Sequence, residues 1–162
     1  MKKFSVLLLI LVPLYLGFAV SSLDKYFFVN PVDDNGYLVV RTDSRGDGTF
    51  ASRRSGGRMH NGIDLFADIG APVRAVRSGK VLAATSNHGM GTYVVLGHKN
   101  GLTTVYGHLY AFCVPQGATV RQGEIIGKVG KTGNANSRDI LPHLHFEIRK
   151  DGIPQNPEEY LE

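Results

Sequence analysis

The chain has 162 residues, 20 of them glycine and none tryptophan, with one cysteine and a formal net charge of +4. That length suits a single domain with a real core, and many glycines between short β-branched runs argue for an all-β domain and against a helical bundle. Without Lys2 and Lys3, sixteen basic residues face fourteen acidic ones, too slight an excess to argue for nucleic acid, and the lone Cys113 excludes an internal disulfide.

Lys2 and Lys3 form the positive end of a targeting segment, and Phe4 to Val20 is nearly all apolar. Ala19-Val20-Ser21 offers small residues flanking a cleavage site after Ser21. The apolar run contains Pro13 and, at 17 residues, falls between a signal-peptide core and a membrane span of about 20 residues. Residues 1–21 therefore read as a signal peptide or an N-terminal membrane anchor. Cleavage is the expected outcome, with membrane contact only if the segment is retained. Either way the domain works outside the cytoplasmic membrane. Residues 22–40 form a lead-in without a clear period, and the domain proper is expected over residues 41–162. Arg41 to Arg58 is polar and rich in Gly, Ser and Arg, and reads as a long loop.

Strand signals follow. Val73 to Val76 and Gly79 to Ala84 are short β-prone runs. Thr92 to His98 alternates, Asn100-Gly101 is a strong hairpin signal, and Leu102 to Leu109 returns. Val120 to Val129 reads as a pair of short strands. His143 to Arg149 is the last clear one, turned by Asp151-Gly152 before Pro154 and Pro157. Cys113 reads as a small, half-buried apolar residue, too far from the N-terminus to be acylated.

The run Pro142-His143-Leu144-His145-Phe146-Glu147 carries the most chemistry. In a strand, residues i, i+2 and i+4 share one face. His143, His145 and Glu147 then point one way, and Leu144, Phe146 and Ile148 the other. The second set suits a core. The first puts two imidazoles side by side on an open face, as a metal ligand and an acid/base neighbour would be. His60 stands in His60-Asn61-Gly62-Ile63-Asp64, where an imidazole and a carboxylate four apart can converge on one ion. Gly62 and the β-prone surroundings make this a turn entering a strand. His108 ends Thr103-Thr104-Val105-Tyr106-Gly107-His108, and by alternation shares a face with Thr104 and Tyr106.

Taken singly, these are ordinary loop or strand-end histidines. Together they supply what a catalytic zinc requires, three His or carboxylate ligands at about 2.0–2.2 Å and an open position for water. His60, Asp64 and one member of the His143/His145 pair form that set, and spacing alone does not choose between the two. The other member, with His108, is left to handle protons. Hydrolysis of an amide needs a nucleophile active at neutral pH and stabilisation of the tetrahedral oxyanion.

Four separated motifs resemble the M23 metallopeptidases, the lysostaphin-like or LytM-like peptidoglycan endopeptidases. They are Arg58-Met59-His60-Asn61-Gly62-Ile63-Asp64, Tyr106-Gly107-His108-Leu109, Gly130-Lys131-Thr132-Gly133-Asn134 and Pro142-His143-Leu144-His145-Phe146-Glu147. The ending Gly152-Ile153-Pro154-Gln155-Asn156-Pro157 resembles that family's C-terminal edge, so the resemblance spans Arg58 to Pro157. It implies a compact, mostly antiparallel β domain, a lysostaphin-like split barrel or sandwich, with long groove-forming loops. It implies one Zn2+ held by His60, Asp64 and His145, with His108 and His143 as the proton-handling and oxyanion-stabilising histidines. It also implies a peptidoglycan peptide as substrate. D,D-crosslinks between stem peptides are the expected bonds and polyglycine bridges a narrower option. A monomer is expected. Two segments depart from the family pattern, and both should border the groove: the longer link Ala135 to Leu141, and the arginines Arg53, Arg54 and Arg58 before His60.

Glu147 reads either as an acceptor that orients an imidazole or as a surface salt-bridging residue. Tyr106 reads as a structural aromatic, with a groove-lining role as the alternative. His88 and His98 read as exposed loop histidines, and Asn134 either shapes the groove or serves the turn after Gly133. Against the endopeptidase stands a catalytically silent domain of the same fold, acting as a cell-wall binding or regulatory protein. The complete set of His60, Asp64, His145, His108 and His143 favours the enzyme.

Overall fold

The computed structural model describes Asp24 and residues 27–32 and 37–161. The targeting segment expected at residues 1–21 lies outside the described residues. Among the described residues, no helix is long and apolar enough to cross a membrane.

Regular structure is almost all strand: β1 (Thr42–Asp43), β2 (Gly46–Asp47), β3 (Ile63–Phe66), β4 (Pro72–Arg74), β5 (Gly79–Asn87), β6 (Gly91–Gly97), β7 (Leu102–Phe112), β8 (Thr119–Val120), β9 (Ile125–Val129), β10 (His143–Lys150) and β11 (Ile153–Gln155). β1 and β2 make a minimal hairpin inside the expected 41–58 loop. The other nine form one sheet in the order β11-β10-β7-β6-β5-β8, with β3 on β10, and β9 joining β4 to β7. Its ladders are antiparallel, matching the expected all-β, mostly antiparallel domain. Turn chemistry explains the connections. Asp151 and Gly152 both have positive φ, 51° and 83°, as the two-residue type I′ hairpin between β10 and β11 demands.

The core follows from period-2 alternation. Ile63 and Leu65 of β3, Val94 and Leu96 of β6, and Leu144, Phe146 and Ile148 of β10 are all buried in one cluster. The lead-in contributes too. Phe28 and Val32 are buried there, and single bridges tie Phe28 to Leu161 and Val32 to Val73. Isolated anchors of this kind leave no periodic trace in sequence. Tyr106 is structural: it is fully buried, and its hydroxyl accepts from the Val76 amide and the Thr104 hydroxyl, each at 3.1 Å.

Two expectations are corrected. Cys113 is exposed at the end of β7, not half-buried. His98 is not a loop residue in solvent. Its ring is half-buried and bonds the Ser78 carbonyl (2.9 Å) and the Thr104 hydroxyl (2.8 Å), stapling the β6–β7 turn to the loop entering β5 and to β7. His88 is exposed, as expected.

Candidate metal centre

β10 lies at the middle of the site because it has a neighbour on each side. His145 is opposite Asp64 of β3 and also opposite Gly107 of β7. Directly opposed residues have Cβ atoms about 4.5–5.5 Å apart on the same face. With Ile63 and Leu65 in the core, Asp64 must share the outer face with His143, His145 and Glu147. That face is not open, as the sequence suggested. The four side chains are nearly fully buried, because surrounding loops wall the site.

His60 enters from the turn before β3. Its amide donates to the Ser52 carbonyl (2.9 Å) and its carbonyl accepts from Ala51 (2.9 Å), which fixes the loop against the strand. The turn approaches β10 so closely that a Cβ on Gly62 would lie 2.1 Å from the Phe146 carbonyl oxygen. Backbone cannot yield there. Gly62→Ala is expected to lower the unfolding free energy by about 3 kcal/mol, measurable by denaturant titration; a change under about 0.5 kcal/mol would show that the turn can move.

His108 arrives by a different route than alternation suggests. Thr104 and Tyr106 do share a face, but it is the core face. His108 has φ 59°, and the β7 pairing register shifts on both sides of it. This left-handed residue, which costs a non-glycine about 1–2 kcal/mol, turns its ring onto the outer face. There it lies 5.0 Å from the His143 ring, edge to face, and 5.7 Å from the His145 ring.

The structure therefore brings His60, Asp64, His108, His143 and His145 together, but not equivalently. Asp64 Oδ1, His60 Nε2 and His145 Nδ1 form a tight triangle with sides of 2.9, 3.0 and 3.1 Å. His143 Nε2 stands further off, 3.9 Å from Asp64 Oδ1. The outward nitrogens are committed elsewhere. His60 Nδ1 donates to the Thr49 carbonyl (2.8 Å), and His145 Nε2 bonds Glu147 Oε1 (3.0 Å). Glu147 is held in turn by the Arg149 Nε donor at 2.7 Å, so it is a buried acceptor rather than a surface salt-bridging residue. His108 Nδ1 donates to the Thr132 carbonyl (3.0 Å) and His143 Nδ1 to the Leu141 carbonyl (2.7 Å), leaving both Nε2 atoms for the groove.

The charge states follow. Burial alone would raise the Asp64 carboxyl, but hydrogen bonds from His145 and His60 hold it well below the usual carboxylate range. Burial alone would lower His145, but Asp64 and Glu147 carry it up to about 9. Burial, with His145 and His143 nearby, pushes His108 down to about 3, and burial lowers His143 despite Asp64. Burial thus favours the neutral form of His108 and His143, each with Nε2 unprotonated.

The donor set can be tested against zinc. Two imidazole nitrogens and one carboxylate oxygen are the ligand types of catalytic zinc sites. Donors at about 2.0–2.2 Å from a tetrahedral ion are about 3.3–3.6 Å apart, so the triangle needs to open by about 0.4 Å. His60, Asp64 and His145 could hold the ion, and the residues fit it. The groove beside them encloses about 680 Å³ and is rimmed by Arg54, Arg58, Met59, Asn134 and Ile140. Of the three arginines before His60, Arg53 does not line it. The Asn134 backbone N–H donates to the Gly89 carbonyl (3.0 Å), tying its turn to the one between β5 and β6.

Sequence reasoning missed Arg41 and Asp43. Arg41 is buried, and its guanidinium bonds Asp64 Oδ2 at 2.9 Å. One arginine in a polar stretch gives no signal of burial.

Comparison with known proteins bears on the family and the fold. The model of peptidase family M23 matches residues 58–157. The DD-carboxypeptidase/endopeptidase Mpg of Neisseria meningitidis serogroup B is 47% identical over 100 residues, which are 62% of this chain and 22% of that protein. The chain thus spans about a fifth of the length of that curated relative. A zinc-containing peptidase from Vibrio cholerae superposes with a TM-score of 0.67 at 30% identity, over 82% of this chain and 39% of that one. A chain of the SpoIIQ–SpoIIIAH pore-forming complex superposes with a TM-score of 0.68 at 32% identity, over 84% and 91% of the two chains.

Proposed function

The chain belongs to peptidase family M23, and from that premise we propose that it is a zinc-dependent endopeptidase that hydrolyses peptide stems or crosslinks of bacterial peptidoglycan. The observation that carries the proposal is the pairing of two functions on one strand face. The His60–Asp64–His145 triangle has its outward nitrogens committed, and two neutral histidines stand beside it with Nε2 free. We assign His60, Asp64 and His145 as zinc ligands, and His108 and His143 as catalytic residues. Bound zinc supplies Lewis acidity and activates water for attack on an amide. Nε2 of one of the pair His108 and His143 would accept the proton released in that attack, while the other stays neutral as a hydrogen-bond partner. The cation so formed lies next to the developing oxyanion and can return the proton to the leaving amine.

We place the domain in the envelope, exported by the segment at residues 1–21, with residues 41–162 as the peptidase unit. D,D-crosslinks are the proposed bonds, in keeping with the name of the Neisseria relative. The similarity to a chain of a pore-forming complex favours one second reading, a silent domain that binds partners. Digestion of defined muropeptides, followed by mass spectrometry, separates the two. The zinc-loaded protein is expected to convert D,D-crosslinked dimers into monomers, and a chelator to stop it. If no crosslinked or polyglycine-bridged substrate is cut, the enzymatic reading fails.

A further inference from the structure

We infer that Arg41 and Asp43 are positioning residues, Arg41 fixing the Asp64 carboxylate and Asp43 fixing the backbone that orients His143. The inference rests on the zinc reading of the site given above.

Asp64 offers only one oxygen to the site. Oδ1 faces His60 and His145, while Oδ2 accepts from Arg41 Nη2 and Arg54 Nη2, each at 2.9 Å. The two arginines differ. Arg54 lies on the groove rim with its side chain 21% exposed, whereas Arg41 is 4% exposed. A guanidinium that deep is costly unless it is paired. Arg41 is paired with two carboxylates, Nη2 bonding Asp64 and Nη1 forming an ion pair 2.6 Å from Asp43 Oδ2, although Nε and Nη1 have no hydrogen-bond partner. The planar guanidinium reaches both carboxylates at once, one nitrogen to each, and holds Asp64 Oδ2 so that Oδ1 faces His60 and His145.

Asp43 extends the brace to the other side of the site. Its Oδ2 accepts from the Leu141 amide at 3.0 Å, and the Leu141 carbonyl accepts from His143 Nδ1 at 2.7 Å. An unbroken path thus runs Asp64–Arg41–Asp43–Leu141–His143. It joins a proposed ligand to a proposed proton carrier. Arg45 and Asp139 tie the same two segments on the outside at 2.9 Å. One segment is the β1–β2 hairpin, which precedes the residues matched by the family model. The other is the long link Ala135 to Leu141. The hairpin is therefore bonded to one of the two segments that depart from the family pattern. The hairpin orients groups on both sides of the groove.

The test uses the purified full chain and zinc itself. Affinity is read by competition with a chromophoric chelator, beside thermal unfolding of the metal-free protein. Arg41→Gln is expected to bind zinc about 10- to 100-fold more weakly, and Arg41→Lys to recover part of the loss. Asp43→Asn keeps the Arg41–Asp64 bond. It is expected to stay within about threefold of the wild-type affinity, while its zinc-saturated kcat falls about tenfold at unchanged KM. A merely structural role predicts instead that all three variants lose affinity in proportion to their melting temperatures. The inference is overturned if Arg41→Gln binds zinc as the wild type does, or if Asp43→Asn loses as much affinity as Arg41→Gln. Should Arg41→Gln not fold, Arg41→Lys beside Asp43→Asn gives the same contrast. Wild-type protein that binds no zinc overturns the reading of the site itself. Zinc-binding wild type with indifferent Arg41 variants overturns only the brace.

Discussion

His145→Ala is expected to abolish zinc binding at micromolar metal and, with it, hydrolysis of peptidoglycan. The substitution removes one corner of a three-atom triangle, with His145 Nδ1 2.9 Å from Asp64 Oδ1 and 3.0 Å from His60 Nε2. Losing a group that only orients a ligand costs about 10- to 100-fold in affinity, so losing a ligand should cost roughly a thousandfold or more. The scaffold should survive. Glu147 keeps its ion pair with Arg149, and Asp64 keeps Arg41 and Arg54. Leu144 and Phe146 still anchor β10 from the core face. His60→Ala should behave alike. Equilibrium zinc titration beside far-UV circular dichroism reads the result. A folded His145→Ala protein that binds zinc within tenfold of wild type removes His145 from the proposed ligand set.

The face carrying this chemistry was legible because alternation on β10 is strict. Leu144, Phe146 and Ile148 are in the core, and His143, His145 and Glu147 are on the other side. Alternation could not say that Asp64 and Gly107 flank His145, since register depends on turn geometry at a distance in sequence. It misplaced His108. That residue shares no face with Tyr106, because its positive φ breaks the pleat between them. The burial of the site was also hidden, for the walls come from loops with no period. Arg41 and Asp43 looked like solvated loop residues, and only the fold reveals that they lie against Asp64 and Leu141. Likewise, Phe28 and Val32 join the core singly, so no pattern announced them. Local chemistry was readable wherever a strand periodicity organised it, and unreadable where long-range pairing did.

His143→Ala separates proton transfer from metal binding. The imidazole stands one step outside the triangle, 3.9 Å from Asp64 Oδ1, and its Nδ1 is held by the Leu141 carbonyl. Zinc affinity should therefore stay within about tenfold of wild type, the mild end of what a neighbouring group costs. Turnover should not survive so well. Burial keeps His143 and His108 neutral, with His108 pushed down to about 3. Each presents Nε2 as an acceptor. Removing one deletes the group that takes the proton from the attacking water and then stands, as a cation, beside the oxyanion. A positioned acid/base group contributes about 10²–10⁴-fold, so kcat of zinc-saturated His143→Ala should fall by that factor. His108→Ala should resemble it, since the two rings pack edge to face at 5.0 Å. Muropeptide turnover and zinc titration on the same preparation measure both quantities. If His143→Ala loses the metal while His145→Ala keeps it, the two histidines of β10 have exchanged roles. The ring nearer the triangle would then be the proton carrier, and the geometry described for Asp64 could not be the zinc-bound one.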